Sequence, residues 1–227
     1  MKVMILVLSP RESRDLLNGN LSVLVCKHFP KDYVGQVYIY CMKGKPYLFK
    51  DLYAEKNGEE KLYYVDNKEH DSWSQILNGK VIAKIWCDKT EGIKFRCLTK
   101  TNTYGVQRTE TTFTTQTLSF TELKKLSCLT RDDLMKNLND TDGVAVHITK
   151  PEPFDEPKEI GEFYKVGYYK AAEEVYRDNL DDGYDKDRAW AKAERSVHND
   201  FALTRVPRSG WCYIEVWGTK EALLWEK

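Results

Sequence analysis

Apolar residues run without a break from Val3 to Leu8 and stop at Ser9-Pro10. A run so short and so sharply bounded predicts a strand covered on both faces rather than a helix. Ser9, Pro10 and Glu12 then compose a helix start: a hydroxyl that can accept from the amide three residues on, a ring suited to the first turn, and a carboxylate that can reach back. Gly19 stands where a left-handed cap is wanted, so a helix is predicted over 10–18. Strands follow at 22–28 and 35–42, the second alternating Val37, Ile39 and Cys41 with Tyr38, Tyr40 and Met42, so that both faces are apolar. Lys43-Gly44-Lys45-Pro46 turns the chain, and an exposed hairpin is predicted over about 47–66 around Asn57-Gly58.

Asn78-Gly79 opens a strand over 80–88, and threonine-rich segments at 93–104 and 111–118 suit a half-exposed antiparallel sheet. Ser119 with Glu122, and Thr130 with Asp133, repeat the capping pattern ahead of Leu123/Leu126 and Leu134/Leu138, which predicts two short helices. A strand at 143–149 is followed by an extended connection that Pro151, Pro153 and Pro157 impose. The period changes between 167 and 200, where Tyr168, Ala172, Val175 and Tyr176 mark one helical face and Trp190, Ala193, Val197 and Phe201 another, on either side of Asp181-Asp182-Gly183. This reads as a helical hairpin inserted before a last strand at 210–217. Strands outnumber helices and are mostly neighbours in sequence. The predicted fold is therefore α+β and β-dominated: a small, partly closed β-barrel decorated by helices, one domain over 1–227 with an exposed hairpin and a helical insertion.

Composition narrows the picture. The chain has 227 residues, 41% of them hydrophobic, with 6 Trp, 14 Tyr and 8 Phe, enough to build a core despite a mean hydropathy of -0.59. The longest apolar run is too short to cross a bilayer and has no signal-peptide cleavage pattern, so a cytoplasmic protein with no membrane partner is expected. The six cysteines are scattered singly, the four histidines lack metal-ligand spacing, and the calcium-loop-like stretch 178–189 has Leu180 and Ala189 at ligand positions. Neither a metal nor a cofactor is expected. Phosphate-cradling glycine loops, dinucleotide fingerprints and nucleophile elbows are absent from the sequence. Thirty-five basic residues balance thirty-five acidic ones, but unevenly: residues 1–50 carry eight Lys/Arg against three Asp/Glu, and residues 151–200 carry eight against fourteen.

Several segments, in order, resemble a known family. Val7-Leu8-Ser9-Pro10, Leu17-Asn18-Gly19, Lys27-His28-Phe29-Pro30 and Gly35-Gln36-Val37-Tyr38-Ile39-Tyr40-Cys41 are similar to the N-terminal half of ASCH domains, members of the PUA-like superfamily. Gly79-Lys80-Val81-Ile82-Ala83, Ser127-Cys128-Leu129-Thr130, Val146-His147-Ile148 with Phe154-Asp155-Glu156-Pro157, and Pro207-Arg208-Ser209-Gly210-Trp211-Cys212-Tyr213 resemble its later strands, in the long form carried by bacteriophages and prophages. The resemblance implies a cleft beside the first helix that takes RNA or a modified nucleoside. Family members carry a Lys, an acidic residue and an Arg along the second strand, where this chain has Leu21, Leu24 and Cys26. Aliphatic replacements remove the activating amine and the oxyanion-stabilising charge.

The leading expectation is thus a noncatalytic binding module for RNA or a modified nucleotide, with Ser9, Arg11, Gly19, Ser22, Lys27, Tyr40, Arg208, Ser209 and Trp211 as candidate ligand-binding residues. Lys27, His28, Lys31, Arg11 and Arg14 would form a phosphate-contacting edge or simply a solvated surface. Tyr38, Tyr40 and Trp211 would stack a base or pack the core. One alternative is an amidohydrolase-type enzyme on a modified nucleoside, using Ser22, Lys27 and His147. Another is a phage interaction protein that engages a host protein through the acidic hairpin, with Tyr168, Tyr169, Tyr176 and Trp190 as anchors.

Overall fold

A computed structural model of the chain describes residues 3–70, 73–101, 103–104, 107–206 and 210–215. The fold is α+β and strand-dominated, organised on one large sheet. β1 (Val3–Leu8) leads into α1 (Pro10–Leu17), and β2 (Val23–Cys26) and β3 (Gly35–Cys41) follow. β4 (Tyr47–Asp51), a short α2 (Leu52–Lys56), β5 (Tyr63–Asp66) and β6 (Ser74–Ile76) make a separate three-stranded sheet. The second half of the chain contains β7 (Val81–Thr101), β8 (Gln107–Thr114), α3 (Phe120–Ser127), α4 (Arg131–Leu138) and β9 (Gly143–Lys158). β10 (Tyr164–Lys165), α5 (Tyr168–Asp181), α6 (Lys186–Phe201) and β11 (Trp211–Glu215) complete it.

The large sheet has the order β10-β11-β1-β3-β7-β9-β2, with β8 on β7. β1 and β3 are parallel and the other pairs antiparallel. This ladder path stays open, from β10 at one end to β2 at the other. It nevertheless curls. β2 and β11 are five ladder steps apart, about 24 Å across a flat sheet, yet Leu24 and Cys26 share one cluster with Trp211 and Tyr213, and Phe29 meets Trp211 at 6.2 Å between ring centroids. The arrangement is the curled, strand-dominated sheet expected, without hydrogen-bonded closure among the described residues.

Alternation divides the core between two faces. Met4, Leu6, Leu8, Val37, Ile39 and Val146 point inside with Leu16 of α1, while Val3, Ile5 and Tyr40 pack outside against Phe163, Leu203 and Ile214. Val23, Val25, Ile93 and Ala145 pack outside against Phe113, Leu123, Leu134 and Leu138 beneath α3 and α4. β9 starts at Gly143, where a Cβ would collide with Leu138 and lie 3.0 Å from the Cys26 carbonyl. Tyr168, Tyr169, Ala172 and Val197 form the seam of the α5–α6 hairpin. Glu215 secures that hairpin to the sheet by accepting from Gly167 N at 2.9 Å and Tyr169 N at 3.0 Å.

Several expected elements differ in detail. The segment predicted as an exposed hairpin includes α2, and Leu48, Phe49 and Tyr63 are buried, with Leu48 and Tyr63 joining the interior cluster. Asn18 of α1's C-terminus ties it down, donating from Nδ2 to Tyr63 O and accepting from Tyr63 N. The two strands expected at 80–88 and 93–104 are one strand of 21 residues. The extended proline segment belongs to β9, with register shifts beside it that accommodate Pro153 opposite Ala83.

Candidate nucleic-acid interface

The loop between β2 and β3 sorts its residues by chemistry. Lys27, His28, Lys31 and Asp32 are exposed, whereas Phe29 is buried and Tyr33 half-buried. The two rings meet edge to face at 5.9 Å and reach across the curl, Phe29 to Trp211 at 6.2 Å and Tyr33 to Tyr213 at 6.3 Å. Trp211 and Tyr213 touch at 5.7 Å. Four aromatic rings from two distant segments thus pack together at one end of the curled sheet, its mouth, Phe29 buried and the other three half-buried, with Lys27 and Lys31 of the same loop exposed. Tyr33 OH donates to Gln36 O at 2.7 Å and Asp32 N to Thr90 Oγ1 at 2.9 Å, so the end of the loop nearest β3 is fixed.

Burial favours the neutral form of the thiols beneath the mouth. Burial, with Glu12 and Cys87 nearby, pushes Cys26 up to about 12, and burial raises Cys87 to about 11. Cys87 Sγ contacts Tyr33 O at 3.2 Å.

The other candidate residues are dispersed. Ser9 is committed to a capping box, donating from Oγ to Glu12 Oε2 at 2.6 Å and accepting from Glu12 N. Arg11 is exposed on the first turn of α1, and Gly19 takes the left-handed φ of +73° that ends that helix. Tyr40 is 2% exposed on the outer face of β3, opposite the mouth, so it presents no ring to a ligand. Tyr38 lies on that outer face too, against Phe163 at 5.2 Å. Trp211 is the one member of the expected aromatic platform that reaches the mouth. Arg208 and Ser209 lie outside the described residues.

Ser22, Lys27 and His147 do not converge. Ser22 and Lys27 are five residues of extended chain apart, roughly 16 Å. His147 faces outward, because Val146 and Ile148 on either side of it point into the barrel. There its Nε2 lies 2.8 Å from Glu91 Oε1. Thr117 donates to the same carboxylate from Oγ1 at 2.6 Å and from its amide at 3.0 Å, and Lys89 Nζ pairs with it at 2.6 Å. Burial raises the pKa of Glu91, but hydrogen bonds from Lys89, Thr117 and Thr115 outweigh it and hold the group down at about 2. This cluster is a closed polar knot on the outside of the sheet. Nothing in the sequence pointed to it, because Glu91 falls in a polar stretch that reads as a break between strands.

The hairpin's aromatic anchors are also differently placed from the expectation. Tyr168 and Tyr169 are buried in the α5–α6 seam and Trp190 packs on Tyr176 at 5.5 Å. Tyr168 and Tyr169 hold the two helices together, while Tyr176 and Trp190 stay half-buried.

No helix among the described residues is long and apolar enough to cross a membrane. No protein-family model matches the chain, and no curated protein does. Among solved structures it is similar to the crystal structure of ASCH from Zymomonas mobilis, at 10% identity over 70% of this chain and 74% of that one, with a TM-score of 0.40. It is also similar to a point mutant of ZmASCH from the same organism, at 9% identity over 82% and 86% of the two chains, again with a TM-score of 0.40.

Proposed function

We propose that this protein is a noncatalytic binding module for RNA, of the ASCH type carried by phages and prophages. The observation that carries the reading is the loop 27–34, which sets three exposed basic side chains beside an aromatic mouth built by Phe29, Tyr33, Trp211 and Tyr213. Cations hold a phosphate backbone without reading its sequence, and a half-buried ring beside them offers a stacking partner to an unpaired base. The separation of Ser22, Lys27 and His147 and the neutral thiols support binding over hydrolysis.

Fluorescence anisotropy with a labelled single-stranded RNA at low and moderate salt tests the proposal. Binding that weakens with salt is expected. Lys27→Ala and Lys31→Ala should each reduce the salt slope by about 0.7. Trp211→Ala should cost ~1–3 kcal/mol, the range for one stacked base. Wild-type protein that leaves the RNA free even at low salt refutes it.

A further inference from the structure

β10 and the start of α5 meet α6 around a cavity of about 240 Å³, lined by Tyr164, Tyr168, Glu194, Arg195 and His198. Tyr164 is the first residue of β10 and bridges Ala202 just beyond α6, while Tyr168 is the first of α5. Their rings stack at 3.8 Å between centroids and 11° between planes, and both are buried. On α6, His198 follows Glu194 by four residues and Arg195 by three, a spacing that sets all three on one side of the helix. Arg195 and His198 are exposed, so the cavity opens to solvent.

The hydrogen bonds around the cavity leave it rich in donors. Glu194 Oε1 accepts from Trp190 Nε1 at 2.7 Å, which ties the carboxylate to its own helix. Tyr164 OH lies 3.1 Å from His198 Nδ1, and with the phenol donating, Nε2 carries the imidazole proton. Burial, with Tyr164 and Glu194 beside it, keeps Tyr168 protonated. The Arg195 guanidinium and His198 Nε2 have no hydrogen-bond or ion-pair partner among the described residues. Unused donors call for an acceptor, and a guanidinium fork matches a carboxylate or a phosphate. Charge chooses between them. The cost of desolvating an ion grows with the square of its charge, and the fixed charges of Arg195 and Glu194 sum to zero, so a carboxylate is taken in preference to a phosphate dianion. The volume lies below the roughly 300–1,000 Å³ of drug-sized sites, so the ligand is small.

We propose that this cavity binds a small-molecule carboxylate, with Arg195 taking the carboxylate in its fork, His198 Nε2 donating a further bond, and the rest of the ligand lying against Tyr164 and Tyr168. A ligand so placed spans α6, α5 and β10, and by binding the folded state alone it stabilises the attachment of the helical hairpin to the sheet. The site shares no residue with the aromatic mouth, and its occupancy does not depend on the RNA-binding reading.

Sodium benzoate and inorganic phosphate serve as probes of the full chain, followed by ligand-detected NMR and thermal melts, with circular dichroism to show that each variant is folded. Benzoate should bind saturably, raise the melting temperature and bind roughly tenfold more tightly than phosphate. Arg195→Ala should weaken benzoate by about tenfold or more, the range for a hydrogen-bonded charge. Arg195→Lys, which keeps the charge but not the fork, should recover only part of that loss. Arg188→Ala, which removes an exposed cation of the same helix paired with Asp185, should change nothing. Benzoate that fails to saturate on the folded wild type overturns the proposal. So does phosphate that binds as tightly as benzoate. A loss in Arg188→Ala equal to that in Arg195→Ala overturns it too, because the effect would then be one of diffuse surface charge.

Discussion

His147 Nε2 lies 2.8 Å from Glu91 Oε1, across a ladder rung from Lys89 and on the outer face of the sheet. The Glu91 side chain is 2% exposed, and a buried carboxylate is tolerated only when its lone pairs are used. Thr117 and Lys89 use them, which makes this knot a structural brace between β7, β9 and the loop entering α3.

Acid should weaken that brace. A carboxyl at about 2 in the folded state and near 4.5 when unfolded stabilises the fold fully above the unfolded value and progressively less as pH falls toward 2. The contribution is roughly 3 kcal/mol at neutral pH from a shift of that size. Urea melts of the wild type and Glu91→Gln between pH 2 and 7 should show the difference between them shrinking in acid. A constant difference across that range would mean that Glu91 is not held ionised by its neighbours.

Ser9→Ala separates a helix cap from a ligand contact. Loss of the hydroxyl that accepts from Glu12 N should lower stability by ~1 kcal/mol. RNA affinity of the folded variant should stay within twofold of wild type. A large loss of affinity with unchanged melting would place Ser9 in the interface instead.

Tyr40→Ala addresses the expected base-stacking platform. The ring is buried among Val3, Ile5, Val81 and Leu203, so truncation should cost ~3–5 kcal/mol in denaturant melts, as for other large core aromatics. The fraction that remains folded should bind RNA as the wild type does. A stable variant that binds poorly would contradict the core assignment.

The local parts of the fold were legible in the sequence. Ser9/Glu12, Ser119/Glu122 and Thr130/Asp133 each make the reciprocal capping bonds that their spacing predicts, because such bonds depend only on residues three apart. The 3.6-residue period at 167–200 likewise gave α5 and α6 to within a residue or two. What sequence concealed was set by tertiary pairing. The polar stretch 88–92 reads as a strand end, yet β7 runs through it because its carboxylate is satisfied from Lys89 and, at a distance, Thr117. Pro151 and Pro153 read as a connection, yet register shifts let them stay in β9. The mouth is illegible for the same reason: Phe29 and Trp211 are far apart in the chain and meet only because the sheet curls. Alternation showed that Tyr40 and Trp211 stood on apolar strands but not which side of the sheet each would face.

The bond from Glu215 to the start of α5 also bears on the order in which the molecule can be assembled. Gly167 precedes α5 with a φ of +102° and has no side chain with which to cap it, so the helix borrows its cap from a residue 48 positions later. β11 also separates β10 from β1 in the sheet. On a ribosome, the helical pair would therefore emerge and zip its own seam before its cap is made, waiting for β11. A nascent chain stopped before 211 would carry the helical pair held at its base by Phe163 and Leu203 but without its cap from Glu215 and without the strand between β10 and β1.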